Sequence, residues 1–127
     1  MMGKQHHAIK EAMIMVRLVL VRHGESLGDL EPIRVEGQAD FPLTERGHNQ
    51  AAALGQRIAQ EYRMDQLIAS PLTRAVQTAQ AISDATGLTL QLDPMLMERS
   101  YGIFGGMTMP EVKAHCGDRP LPWNLPL

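Results

Sequence analysis

Apolar and polar positions along the chain alternate between short apolar runs and longer stretches of helical spacing. Residues 16–21 (Val-Arg-Leu-Val-Leu-Val) are short, β-branched and nearly uncharged, the pattern of a strand buried in a parallel sheet. A loop punctuated by Gly28, Pro32, Gly37 and Pro42 follows. Thr44 has the form of a helix N-cap, with Glu45 in the first turn where the helix dipole favours an acid. The spacing predicts a helix to about Tyr62 that buries Ala51, Leu54 and Ile58 on one face. Residues 66–69 predict a second strand. Ser70 as N-cap and Pro71 at the first helical position open a second helix, which Gly87 stops after Thr86. Residues 88–92 predict a third strand. Thr108 and Glu111 have the spacing of a capping box and open a last short helix, residues 110–116. The tail from Asp118, with Pro120, Pro122 and Pro126, reads as irregular, and there is no internal repeat.

Strand, helix, strand, helix, strand, helix predicts an α/β layer fold with a mainly parallel sheet and right-handed crossovers. Residues 1–15 read as an N-terminal extension, with Met15 standing directly before the first strand, and residues 16–127 as one domain. Composition narrows the function classes. A net charge of −2 argues against a general nucleic-acid binder, which carries a basic excess. The single cysteine, Cys116, has no partner for an internal disulfide and suits a reducing compartment. Arg17, Arg22 and His23 interrupt the best candidate membrane span, and no small-residue cleavage site follows Lys4 and Lys10. A cytoplasmic location without membrane contact is the expectation. His6 and His7 stand without a partner cluster and read as tail residues, so no metal is expected.

Three segments carry chemistry: Arg22-His23-Gly24-Glu25-Ser26, the run from Ser70 through Arg74 to Ala79, and the run from Glu98 to Gly106. An Arg-His pair at the carboxyl end of a strand lies where open α/β sheets bind ligands. Histidine is a nucleophile towards phosphorus, and guanidinium is a fork that matches phosphate oxygens. Arg74 near a helix start adds the positive end of the dipole, or serves as a solvated surface charge. Met95, Met97, Met107 and Met109 read as gap-filling apolar residues, His48 as exposed, and Cys116 as structural.

Together and in this order, these segments resemble the histidine phosphatase superfamily, the phosphoglycerate-mutase-like family, over residues 16–116. The loop from Gly37 to Gly47 is also similar to that family's entry into its first helix. The resemblance implies a three-layer α/β fold. It implies that His23 takes the phosphoryl group, that Arg22 and Arg74 hold its oxygens, and that Glu98 is the general acid and base. Glu25 and Glu36 compete with Glu98 for that carboxylate role, and Ser26 is a further phosphate contact or a loop residue. A small phosphorylated substrate and no cofactor are implied.

Two departures stand out. Members often carry Asn where this chain has Asp29, and an ionised carboxylate cannot donate to phosphate. The family also uses a second histidine on a later strand. The remaining candidate, His115, lies on the predicted last helix and is not given that role. The chain therefore reads as the amino-terminal portion of a longer domain, incomplete at its C-terminus, with an unpaired strand edge that makes self-association an expectation. The resulting function is hydrolysis of a phosphomonoester through a phosphohistidine on His23, with the rate impaired by the absent second histidine. The alternatives are a phosphoglycerate mutase and a non-catalytic phosphate-binding remnant.

Overall fold

The computed structural model describes residues 15–121 and 123. The readings for residues 1–14, including His6 and His7, and for Pro122 and Pro126 lie outside the described residues. Among the described residues three α-helices and two strands form, besides short 3-10 turns, in the order α1 (Glu45–Glu61), β1 (Leu67–Ala69), α2 (Thr73–Thr86), β2 (Leu90–Leu92) and α3 (Met109–Cys116). The two strands pair in parallel with Leu67 opposite Leu90 and Ala69 opposite Leu92, and α2 is the crossover between them. This is the α/β, parallel-sheet class predicted from the element order.

The start of α1 is local. Thr44 Oγ1 accepts from the Gly47 amide at 3.0 Å, as an N-cap hydroxyl should. Gly47, Ala51, Gly55 and Ile58 form the buried face, so Gly55 takes the place expected of Leu54, which is half-buried. A side chain at Gly55 would begin 2.6 Å from the Ala81 carbonyl of α2, so α1 and α2 approach closely at that point. Thr78, Ala79 and Ile82 supply the facing residues of α2.

The start of α2 departs from prediction. The helix begins at Thr73, after Leu72, and Leu72 offers no side-chain cap. Ser70 Oγ instead accepts from the Leu72 amide in a short turn, at 3.2 Å. The cap comes from a distant loop: Asp40 accepts from the Thr73 amide at 2.7 Å and from its hydroxyl at 2.6 Å. The other end is as expected, with Gly87 at φ 77° and its amide bonded to the Ser83 carbonyl. At α3, Thr108 and Glu111 form the reciprocal capping box.

The largest correction concerns residues 16–21. They form no strand in the described structure, and Leu20 is 90% exposed. A buried parallel strand draws its stability from neighbours on both edges and both faces. The sheet described here has two short strands, below the size that is stable by itself, and β1 pairs only with β2. Val19, Leu20 and Val21 of the segment nevertheless border the same cavity as Leu67 and Ile68 of β1.

Candidate active site

The Arg-His segment is held by backbone contacts with residues 42–44. Ser26 bridges Leu43, the Thr44 amide donates to the Glu25 carbonyl at 2.9 Å, and the Leu27 amide donates to the Pro42 carbonyl at 2.9 Å. The Gly24 amide donates to Thr78 Oγ1 on α2, 3.1 Å away, while that hydroxyl donates to the Arg74 carbonyl at 2.8 Å. Gly24 also lies against the N-terminal turn of α1: a Cβ there would sit 2.5 Å from the Gly47 carbonyl. Only a residue without a side chain fits this approach.

This scaffold sets the state of His23. Its Nδ1 lies 2.7 Å from the Gly24 carbonyl. A carbonyl can only accept, so the proton of the neutral ring sits on Nδ1. In that tautomer Nε2 carries the lone pair a nucleophile requires, with the Glu36 carboxylate 3.8 Å from it.

His23, Arg22, Arg74 and Glu98 border one cavity of about 590 Å³ whose remaining walls are largely apolar. The structure therefore brings four of the five residues singled out from sequence to one space. Their states differ. Arg22 is extended into solvent, its side chain 80% exposed, with Asp29 at 3.9 Å. Arg74 is 1% exposed and uses its two terminal nitrogens to hold the Ala39 and Gly37 carbonyls at 2.9 and 2.6 Å. Its charge faces the cavity, but two arms of its fork serve as a tether for the loop before α1. Glu98 is exposed, with its backbone carbonyl accepting from Gln38 at 3.1 Å. Ser26 is fully buried and is not among the residues bordering this cavity.

Of the competing carboxylates, Glu25 turns away: it accepts from the Thr44 hydroxyl at 2.8 Å and faces Arg46 at 3.7 Å. Glu36 turns in. Its Oε2 lies 3.8 Å from His23 Nε2 and 3.6 Å from Arg74 Nε, and Ser26 Oγ donates to its Oε1. Sequence reasoning named Glu36 only as one acid among three. Its central place follows from the fold of the loop between Ser26 and Thr44, for which no local pattern is diagnostic.

Asp29, the first departure noted above, has a local role. It accepts from the Ser26 amide at 2.9 Å and lies over the short turn that follows. His115, exposed on α3, stacks edge-on against Phe104 and borders neither this cavity nor a smaller one beside it. His48 is exposed on α1 as expected. Among the described residues no cluster of three His, Cys, Asp or Glu could hold a metal ion, and no helix is long and apolar enough to cross a membrane.

A family model described as the histidine phosphatase superfamily (branch 1) matches residues 18–126. The chain belongs to that superfamily. Among curated relatives, a probable phosphoglycerate mutase GpmB of Yersinia pestis is 44% identical over 89 residues, 70% of this chain and 40% of that protein. The Erwinia tasmaniensis protein of the same name is 43% identical over the same length. The chain thus spans about two fifths of the length of these curated relatives. Among solved structures, a mycobacterial glucosyl-3-phosphoglycerate phosphatase in complex with VO3 superposes with a TM-score of 0.69 at 30% identity, covering 76% of this chain and 45% of that one. A phosphoserine phosphatase of Entamoeba histolytica, in complex with 3-phosphoglyceric acid, gives 0.62 at 33% identity, covering 72% and 44%. Membership in this superfamily accounts for the order of the three chemical segments and for their meeting at one cavity.

Proposed function

We propose that this chain is a phosphomonoester hydrolase that works through a phosphohistidine on His23. The observation that carries the proposal is the meeting of His23 with Arg22 and Arg74 at one cavity, with His23 Nδ1 committed to the Gly24 carbonyl so that Nε2 is the nitrogen left to attack. In the proposed reaction Nε2 attacks phosphorus, the phosphorus–oxygen bond of the ester breaks, and Glu98 delivers its proton to the departing oxygen. Glu98, now a carboxylate, then takes a proton from water as that water attacks phosphorus. The nitrogen–phosphorus bond breaks, inorganic phosphate leaves, and His23 is restored. Arg22 and Arg74 supply permanent positive charge against the dianion throughout. Ser26 enters as a buried hydroxyl donor behind them. The substrate class is a small phosphorylated metabolite, a reading supported by relatives named as phosphatases of glucosyl-3-phosphoglycerate and phosphoserine.

Relatives named as phosphoglycerate mutases favour a second reading, in which the phosphoryl group returns to a phosphoglycerate instead of passing to water. One experiment separates the two. Phosphate release from an aryl phosphate and from 3-phosphoglycerate is measured beside phosphoglycerate interconversion, for the chain and for His23→Ala. Release that exceeds interconversion and vanishes in the variant supports the hydrolase. Interconversion faster than release supports the mutase. No turnover of either kind from folded protein would leave the binding-only reading and overturn the hydrolase.

A further inference from the structure

The donors assigned above to the phosphoryl group already hold an anion. Both oxygens of the Glu36 carboxylate are engaged, one by the Ser26 hydroxyl and the other by Arg74 Nε at 3.6 Å, and they lie beside the nucleophilic nitrogen, His23 Nε2, 3.8 Å away. The side chain is only 13% exposed. The backbone is shaped around it as well: a Cβ on Gly28 would lie 2.5 Å from Glu36 Oε1, so the absence of a side chain at position 28 makes room for the carboxylate. An arginine and a serine hydroxyl converging on one pair of oxygens beside the nucleophilic nitrogen is the arrangement an incoming phosphate would need.

We propose that Glu36 is a built-in competitor for the phosphoryl group: its carboxylate occupies the phosphate position and must withdraw before a phosphomonoester can bind. This rests on the reading of His23, Arg74 and Ser26 as a phosphoryl site. A dianion placed beside an ionised carboxylate in a half-buried pocket meets direct repulsion, and two of the shared donors cannot serve both anions. The carboxylate has somewhere to go. Glu36 also borders a neighbouring cavity of about 410 Å³ whose wall carries Arg34 together with Asp29 and Glu98, so its side chain has space to rotate away from His23. Glu36 is in this way an affinity-determining residue. It keeps the site's donors ordered when empty and sets a threshold that weakly binding anions do not cross.

The test is titration of inorganic phosphate, and of vanadate as a second probe, into the full chain and its Glu36→Gln and Glu36→Ala variants, followed by calorimetry and 31P line broadening. Circular dichroism checks that each variant is folded. Removing the charge should tighten phosphate binding at least about tenfold, since like charges about 4 Å apart in a partly desolvated site are worth more than one decade of affinity. Adding Ser26→Ala to Glu36→Gln should reverse part of that gain. Equal binding by wild type and both variants overturns the competitor and leaves the phosphate site standing. Weaker binding in the variants also overturns it, making Glu36 a support for the donors. No binding of either anion by any of the chains removes the phosphoryl site itself and this inference with it. If Glu36→Gln fails to fold, the Glu36→Ala titration decides in the same terms.

Discussion

Single residues in this chain act less by what they are than by what they are bonded to. His23 was legible as a nucleophile from its place after an apolar run, but its tautomer depends on one carbonyl, that of Gly24. The amide of the same residue is held by Thr78, 54 positions along the chain. Replacing the Thr78 hydroxyl with a methyl, in Thr78→Val, keeps the shape and leaves the Gly24 amide unpaired. The expected cost is about 1–3 kcal/mol of stability, read from urea unfolding, together with faster amide exchange at Gly24. An unchanged unfolding midpoint would show that the amide finds another partner. Arg74 shows the opposite case. Its identity suggested a free phosphate fork, yet the buried guanidinium spends two nitrogens on loop carbonyls. Nothing within four residues of Arg74 announces that, because Gly37 and Ala39 reach it only through the fold.

At the scale of elements, helix ends divide into those written locally and those supplied from elsewhere. Thr44 caps α1, Gly87 ends α2, and Thr108 with Glu111 opens α3, all within a few residues of the end they serve. The capping carboxylate of Glu111 titrates below its ordinary 4.5, chiefly because the Thr108 backbone amide donates to it and secondarily through the Thr108 side chain and Arg34. A carboxyl whose folded pKa is lowered stabilises the fold above its ordinary value, and that contribution is lost as the pH falls through the folded pKa. Melting temperatures of the wild type and Glu111→Gln are therefore expected to differ at neutral pH and to converge in acid. A constant gap across the pH range would contradict this. The start of α2 belongs to the other kind. Ser70 had the right type and position for a cap, but Asp40 holds the Thr73 amide in its place. Asp40→Ala should lower stability by about 1 kcal/mol, whereas Ser70→Ala should have the smaller effect. Denaturant titration of the two variants compares them directly.

For the whole molecule, the open side of the sheet is the dominant feature. Residues 16–21 keep the apolar composition of a central strand, yet Val16, Leu18 and Leu20 face solvent beside a two-stranded sheet whose Ile68 and Leu92 are exposed too. Unpaired apolar edges of this kind associate. Sedimentation velocity should show mass rising with concentration for the wild type and a monomer for a Leu18→Lys, Leu20→Lys double variant. A wild type that stays monomeric at high concentration would contradict this. The same contrast separates what the sequence by itself determined from what only the tertiary structure decided. Local signals, each acting through hydrogen bonds or spacing within a few residues, determined the order of the three helices and of the two strands that form and most helix ends, and the ordered segments around His23, Arg74 and Glu98 pointed to the family. Tertiary structure decided that Glu36 sits against His23, that Asp40 caps α2, that Arg74 is a buried tether, and that residues 16–21 form no strand. Each of these depends on partners ten or more positions away or on neighbouring strands, and the free energy of such contacts exists only once the chain has brought them together.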